Sequence, residues 1–139
     1  MGFTLTRIIG VDPAWETAHR VRALCWNGRS PVLKELADLQ KRHPEDYRRL
    51  MAVVRLVAEN QRVANRNHVK PSKQFPGVFE MRGGGIRLFF FYTPDADEVV
   101  VCANSYWKAK PGRSEQHAAF ERCARLRQAY LAAARESEG

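Results

Sequence analysis

The residues best placed to do chemistry lie in Pro76–Tyr92, which reads PGVFEMRGGGIRLFFFY. Two β-prone runs flank Gly83, Gly84 and Gly85, and glycine supplies the backbone conformations that tight hairpin turns need. With a two-residue turn at Gly84-Gly85, Gly83 pairs with Ile86 and Arg82 lies opposite Arg87. Side chains alternate along a strand. Val78, Glu80, Arg82, Arg87, Phe89 and Phe91 then share one face, and Phe79, Met81, Ile86, Leu88, Phe90 and Tyr92 form an apolar one. If all three glycines formed the loop, Arg82 would oppose Ile86 and this sorting would fail, so the two-residue turn is expected. Two arginines opposite each other repel unless an anion compensates. The pair therefore reads either as a site for a phosphate or as a solvated sheet face on which Glu80 bridges the arginines.

Two basic loops flank this hairpin. Asn65–Gln74 (NRNHVKPSKQ) holds His68, Lys70 and Lys73 immediately before it. Trp107–Arg113 (WKAKPGR) holds Lys108, Lys110 and Arg113 after the next strand. Loops on a rigid scaffold often carry function, although each of these cations also reads as ordinary solvated charge.

The elements that must position these residues follow from periodicity. His19–Trp26 reads as a strand ended by Asn27-Gly28. Ser30-Pro31 starts a helix with Ser as cap, and Val32, Leu33, Leu36, Ala37 and Leu39 make its apolar stripe. Pro44 starts a second helix, buried through Tyr47, Leu50, Met51, Val54, Val57 and Ala58; Arg48, Arg55 and Arg62 recur every seven residues as a basic face, which reads as solvated or, less commonly, as a nucleic-acid or partner surface. The two make an antiparallel helical hairpin. The glycine hairpin and a strand over Glu98–Tyr106 make a three-stranded antiparallel meander, and a last helix, capped by Ser114, runs from Glu115 to about Arg135. The expected fold is α+β: an N-terminal strand, an αα-hairpin, the meander and a C-terminal helix, with the helices on one sheet face and Glu80, Arg82 and Arg87 on the other. Residues 1–18 read as an N-terminal extension in which Leu5–Val11 could form an edge strand, 19–135 as the domain, and 136–139 as a frayed tail.

The 139 residues carry a net charge of +8, which favours polyanionic partners. No apolar run is long enough to span a membrane, and the first residues lack a signal-peptide pattern. Cys25, Cys102 and Cys123 are widely spaced and odd in number, and the histidines do not cluster. Neither a metal site nor a disulfide framework is expected, and the whole fits a cytoplasmic protein.

The order of these features resembles the RelE/HigB/ParE superfamily of toxins from bacterial type II toxin–antitoxin pairs, the HigB-like and phage-type members above all. The resemblance rests on Lys70/Lys73 in a loop, Phe79-Glu80-Met81-Arg82, the glycine turn, Ile86-Arg87-Leu88-Phe89-Phe90, and Tyr106-Trp107-Lys108-Ala109-Lys110 before a final helix. It covers His19 to that helix. It is carried by the ordered set, no single motif being specific. The glycine run is longer than in the family, and Ala109 interrupts a double lysine often found after the last strand.

The resemblance implies a RelE/ParE-like fold and a metal-independent mRNA endonuclease acting on ribosome-bound mRNA. It implies as partners mRNA, the ribosome and a cognate antitoxin, with no cofactor. Residue by residue, Arg87 looks like the arginine that holds the scissile phosphate and Arg82 like the one closing the preceding strand. Lys73 or Lys70 looks like the loop lysine, Lys108 like the basic residue after the last strand, and Tyr106 like a C-terminal aromatic acid or base. His68, Lys110 and Arg113 would join Lys70 in holding RNA. Metal-free cleavage needs the 2′-OH to attack the adjacent phosphate, cations to stabilise the phosphorane, and an acid for the leaving 5′-oxygen. A lysine or tyrosine serves only if its pKa is depressed by neighbouring cations or if the ribosome aligns the RNA. ParE-like relatives act on DNA gyrase instead, so a non-catalytic gyrase inhibitor and a basic protein-binding module are the alternatives.

Overall fold

The computed structural model describes residues 2–110 and 112–138. Six strands form one sheet: β1 (Phe3–Arg7), β2 (Val21–Trp26), β3 (Val69–Pro71), β4 (Phe79–Gly83), β5 (Ile86–Tyr92) and β6 (Val100–Trp107), in the order β1-β2-β6-β5-β4-β3. Three helices pack on it: α1 (Pro31–Arg42), α2 (Pro44–Glu59) and α3 (Arg113–Glu138). All neighbours are antiparallel except β2 and β6. That parallel pair is possible because the long segment between them provides the crossover. The mixed α+β arrangement expected from the sequence is present, with more strands than expected. The two extra strands arise where little periodicity exists. β1 lies in the N-terminal stretch and pairs with β2 from Phe3↔Trp26 to Arg7↔Arg22. β3 is only three residues long and lies in what reads as a polar loop. Its Pro71 suits an edge strand, where no ladder donor is needed.

The glycine hairpin has the expected register. Gly83 pairs with Ile86 and Arg82 with Arg87. Met81, Ile86, Leu88 and Phe90 enter the core under α1 and α2, together with Leu36, Leu50, Val54 and Val57. The three glycines do more than turn the chain. A Cβ on Gly83 would collide with the backbone of Leu50 in α2, and Gly84 has φ +55° with Asp46 against it. Only glycine lets the tip lie this close to the helix.

One expectation about the layers is overturned. α1 and α2 cover one sheet face, but α3 covers the other, through Phe120 and Cys123 packed on Val78, Phe89, Phe91, Val101 and Ala103. The reason lies in the hairpin itself. The face carrying Glu80, Arg82 and Arg87 also carries Val78, Phe89 and Phe91, too much apolar surface to leave in water. Gly112, rather than Ser114, caps α3: its carbonyl accepts from Gln116 N, and Glu115 reaches back to its N–H. The helix continues to Glu138, past the expected end at Arg135; Gly139 lies outside the described residues. The basic side of α2 is a paired, solvated face. On α2, Arg48 meets Glu45 and Arg55 meets Glu59; Arg62, expected on the same side, lies beyond the helix end at Glu59 and forms a bidentate pair with Glu98 over the Tyr92 ring.

Candidate functional site

The ladder hydrogen bonds line up two rows of side chains beneath and beside α3. Arg82 opposes Arg87, and Arg87 opposes Tyr106. Arg82 N donates to His68 O, which extends the same row onto the segment entering β3. The neighbouring row runs Lys70, Glu80, Phe89, Asn104. Directly opposed residues in a sheet share a face, so three positions read separately from the sequence, Arg82, Arg87 and Tyr106, come to one line, with the His68 backbone at its end. The β5–β6 pairing depends on a bulge between Phe89 and Phe90. Continuing the Tyr92↔Val100 register without it would set Ser105, not Tyr106, against Arg87. The extra residue, Ala103, rotates the end of β6 so that Tyr106 faces the arginines.

Glu80 is at the centre of the site. It is fully buried. Its carboxylate accepts from Arg82 Nε at 2.7 Å and from Gln116 Nε2 of α3 at 3.0 Å, and lies 4.0 Å from Arg87 Nε. Arg87 also donates to the carbonyls of Gly84 at 2.7 Å and Ile86 at 2.9 Å, which ties it to the turn. Burial, and then the charge of Arg82, pull the Arg87 guanidinium below its ordinary pKa, against Glu80, which raises it. Of the two readings open in the sequence, bridging by Glu80 is the arrangement found. Gln116 at the start of α3 closes over Glu80, while Arg82 and Arg87 stay partly open to solvent.

Tyr106 has a half-buried ring 5.7 Å from that of Phe89, and its hydroxyl is buried without a hydrogen-bond partner among the described residues. Burial raises its pKa first, Glu80 adds to the rise, and Arg87 lowers it. The depressed pKa that base catalysis by a tyrosine needs is therefore not produced here. Burial favours the neutral phenol of Tyr106, whose hydroxyl is left with an unused donor. Asn104, one row along, donates to Ala119 O of α3, and its side-chain oxygen also finds no partner.

The remaining sequence-derived residues divide into three groups. Lys108 leaves the row at the end of β6 and pairs with Glu115 on α3, exposed. Lys110 is exposed in the loop that follows. Lys70, Lys73 and Arg113 line a groove beside the rows. Three further residues have direct roles here; Trp107 belongs to the Tyr106–Lys110 segment that carries the resemblance, whereas Gln116 and Asp46 carry no functional signal in the sequence. Gln116 sits on a helix whose side of the sheet is not readable from its pattern. Asp46 and Trp107 hold the hairpin tip: Asp46 accepts from Gly85 N at 3.0 Å and from Trp107 Nε1 at 2.7 Å, and Trp107 stacks on His43 at 3.7 Å. These bonds, Trp107 first, hold the Asp46 carboxyl below the usual carboxylate range.

Among the described residues no cluster of three His, Cys, Asp or Glu side chains is placed to hold a metal ion, and no helix is long and apolar enough to cross a membrane. The chain matches no protein-family model and no curated protein.

Proposed function

We propose that this chain is the toxin half of a type II toxin–antitoxin pair of the RelE/HigB/ParE kind, cutting ribosome-bound mRNA without a metal. The observation that carries the reading is the line Arg82–Arg87–Tyr106 across adjacent strands. Two guanidinium groups that repel each other are held side by side by a single carboxylate, next to a protonated phenol. A phosphodiester offers the same charge and the same paired oxygens as that carboxylate, and arginine binds both in fork geometry. Arg82 and Arg87 would hold the scissile phosphate and stabilise the phosphorane formed by 2′-OH attack, the largest electrostatic contribution available to such a site. Tyr106 would donate to the phosphorane or to the departing 5′-oxygen. The ribosome would align the RNA for attack. The partner that silences the chain would be a cognate antitoxin.

A second reading is favoured by one observation. Glu80 already compensates both arginines, and Lys108 is held by Glu115. A site neutralised from within suits a non-catalytic inhibitor, directed at gyrase or another protein, as well as an enzyme. Expression in a bacterial host separates the two. Wild type should arrest growth and shorten mRNA, while Arg87→Lys, which keeps the charge but loses the fork, should do neither while remaining folded by circular dichroism. A DNA-damage response with intact mRNA would select the gyrase reading, and normal growth a binding module.

A further inference from the structure

Beside the arginine row lies a groove of about 480 Å³ between the segment after β3 and the first turns of α3. Lys70, Lys73 and Arg113 line it, with Phe75, Gln116 and His117. No acidic side chain is among its lining residues. Elsewhere some arginines are answered by carboxylates, as Arg22 is by Glu16, Arg48 by Glu45 and Arg62 by Glu98. None of the ion pairs among the described residues uses Lys70, Lys73 or Arg113. The groove thus gathers three cations with no carboxylate partner among the described residues.

The groove also contains an aromatic surface. The half-buried Phe75 ring and the exposed His117 ring lie 5.5 Å apart, tilted by 52°. His117 Nε2 is 3.8 Å from a carboxylate oxygen of Glu121, one turn along α3. Cations beside an aromatic platform form the pattern that binds single-stranded nucleic acid, in which the cations follow the backbone and the rings stack on bases of any sequence. An acidic protein would use the cations but would have no need of the rings.

The groove is continuous with the arginine row. Gln116 lines the groove and donates to Glu80 at 3.0 Å. Lys70 is the ladder partner of Glu80. The Lys70 row is displaced from the Arg82–Arg87 row by two residues along the strand, about 7 Å, the scale of one nucleotide step on an extended strand.

We propose that this groove is a binding subsite for single-stranded RNA that takes the nucleotide next to the phosphate held by Arg82 and Arg87. Its base stacks on Phe75 and His117, and its backbone lies against Lys70, Lys73 and Arg113. The subsite rests on the RNA reading of the arginine row, and it adds a surface through which the chain senses a base rather than only charge.

The test is fluorescence anisotropy with the full chain, without ribosomes, using a labelled single-stranded octaribonucleotide, the same strand with abasic central positions, and its duplex, between 50 and 200 mM salt. Wild type should prefer the base-bearing single strand over the abasic one by about tenfold or more. Phe75→Leu and His117→Ala should erase that preference and leave the salt slope unchanged. Lys73→Ala and Arg113→Ala should each flatten the slope of log affinity against log salt by about 0.7 and leave the preference in place. Because Phe75 is half-buried, the exposed His117 provides the variant whose folding is not at issue. Equal binding of abasic and base-bearing strands by wild type overturns the proposal, as does competition by polyglutamate equal to that by RNA. If base-dependent binding is found but no mRNA is cut on ribosomes, the nuclease reading falls and the subsite stands. If mRNA is cut and Phe75→Leu changes neither binding nor cut positions, the subsite falls alone.

Discussion

Glu80→Gln isolates the charge that holds the two arginines together. The substitution keeps the shape and leaves one acceptor oxygen, but Arg82 and Arg87 then face each other with no anion between them. Removing one partner of a buried charged pair costs about 3–5 kcal/mol. Arg82 keeps 30% of its side chain exposed and Arg87 13%, so water screens part of the repulsion and the low end, about 3 kcal/mol, applies. With an unfolding entropy of about 2.1 cal/mol/K per residue, 139 residues give about 0.3 kcal/mol/K, and the melting temperature should fall by about 10 °C. Differential scanning calorimetry at pH 7 and low salt measures it. Two companions sharpen the result. Phosphate should raise the melting temperature of Glu80→Gln more than that of wild type, because the uncompensated arginines then attract an anion. Adding Arg87→Gln to Glu80→Gln should recover part of the loss, because the repulsion is removed. A melting temperature within about 2 °C of wild type, with no selective response to phosphate, would refute the reasoning.

Two further outcomes follow from the hairpin tip. Gly83→Ala should destabilise by about 1–3 kcal/mol in denaturant melts, because its methyl group meets the Leu50 backbone and neither strand nor helix can withdraw freely; an unchanged midpoint would show that the contact is looser than described. Asp46 has a depressed folded pKa, so its contribution is fully present above its unfolded pKa of about 3.9 and is lost as pH falls through the folded value. The melting temperature of wild type should therefore exceed that of Asp46→Asn at pH 6, and the gap should close in acid; a gap independent of pH would assign the effect to packing.

The hairpin was readable because two independent patterns agreed on it. Alternation of charge and apolar side chains and the glycine pair both require Arg82 opposite Arg87, and a shift by one residue would have buried a guanidinium. The partner of that pair was not readable in the same way. Tyr106 reaches Arg87 only through the bulge at Ala103, and nothing in the run EVVVCANSY marks an extra residue. The side of the sheet taken by α3 was missed for a different reason. Its buried residues, Phe120 and Cys123, are few among many charges, while the demand for a cover came from Phe89 and Phe91 on another element. β3 is short and lies in a polar segment, with Val69 alone reaching the core, yet its pairing with β4 is what sets Lys70 against Glu80. Gln116 and the Phe75–His117 surface depend on that same placement of α3, and a local pattern cannot supply it.

The central claim is that Arg82 and Arg87 hold a phosphodiester while its own 2′-OH cleaves it. Mapping and chemically typing the ends of a reporter mRNA in a purified translation reaction tests it most directly, with wild type, Arg87→Lys and no protein compared. The account predicts new ends that require both ribosomes and Arg87, with a 5′-hydroxyl on the downstream fragment and a 2′,3′-cyclic phosphate on the upstream one, as internal attack demands. An intact message, or cuts that persist in Arg87→Lys, would contradict it.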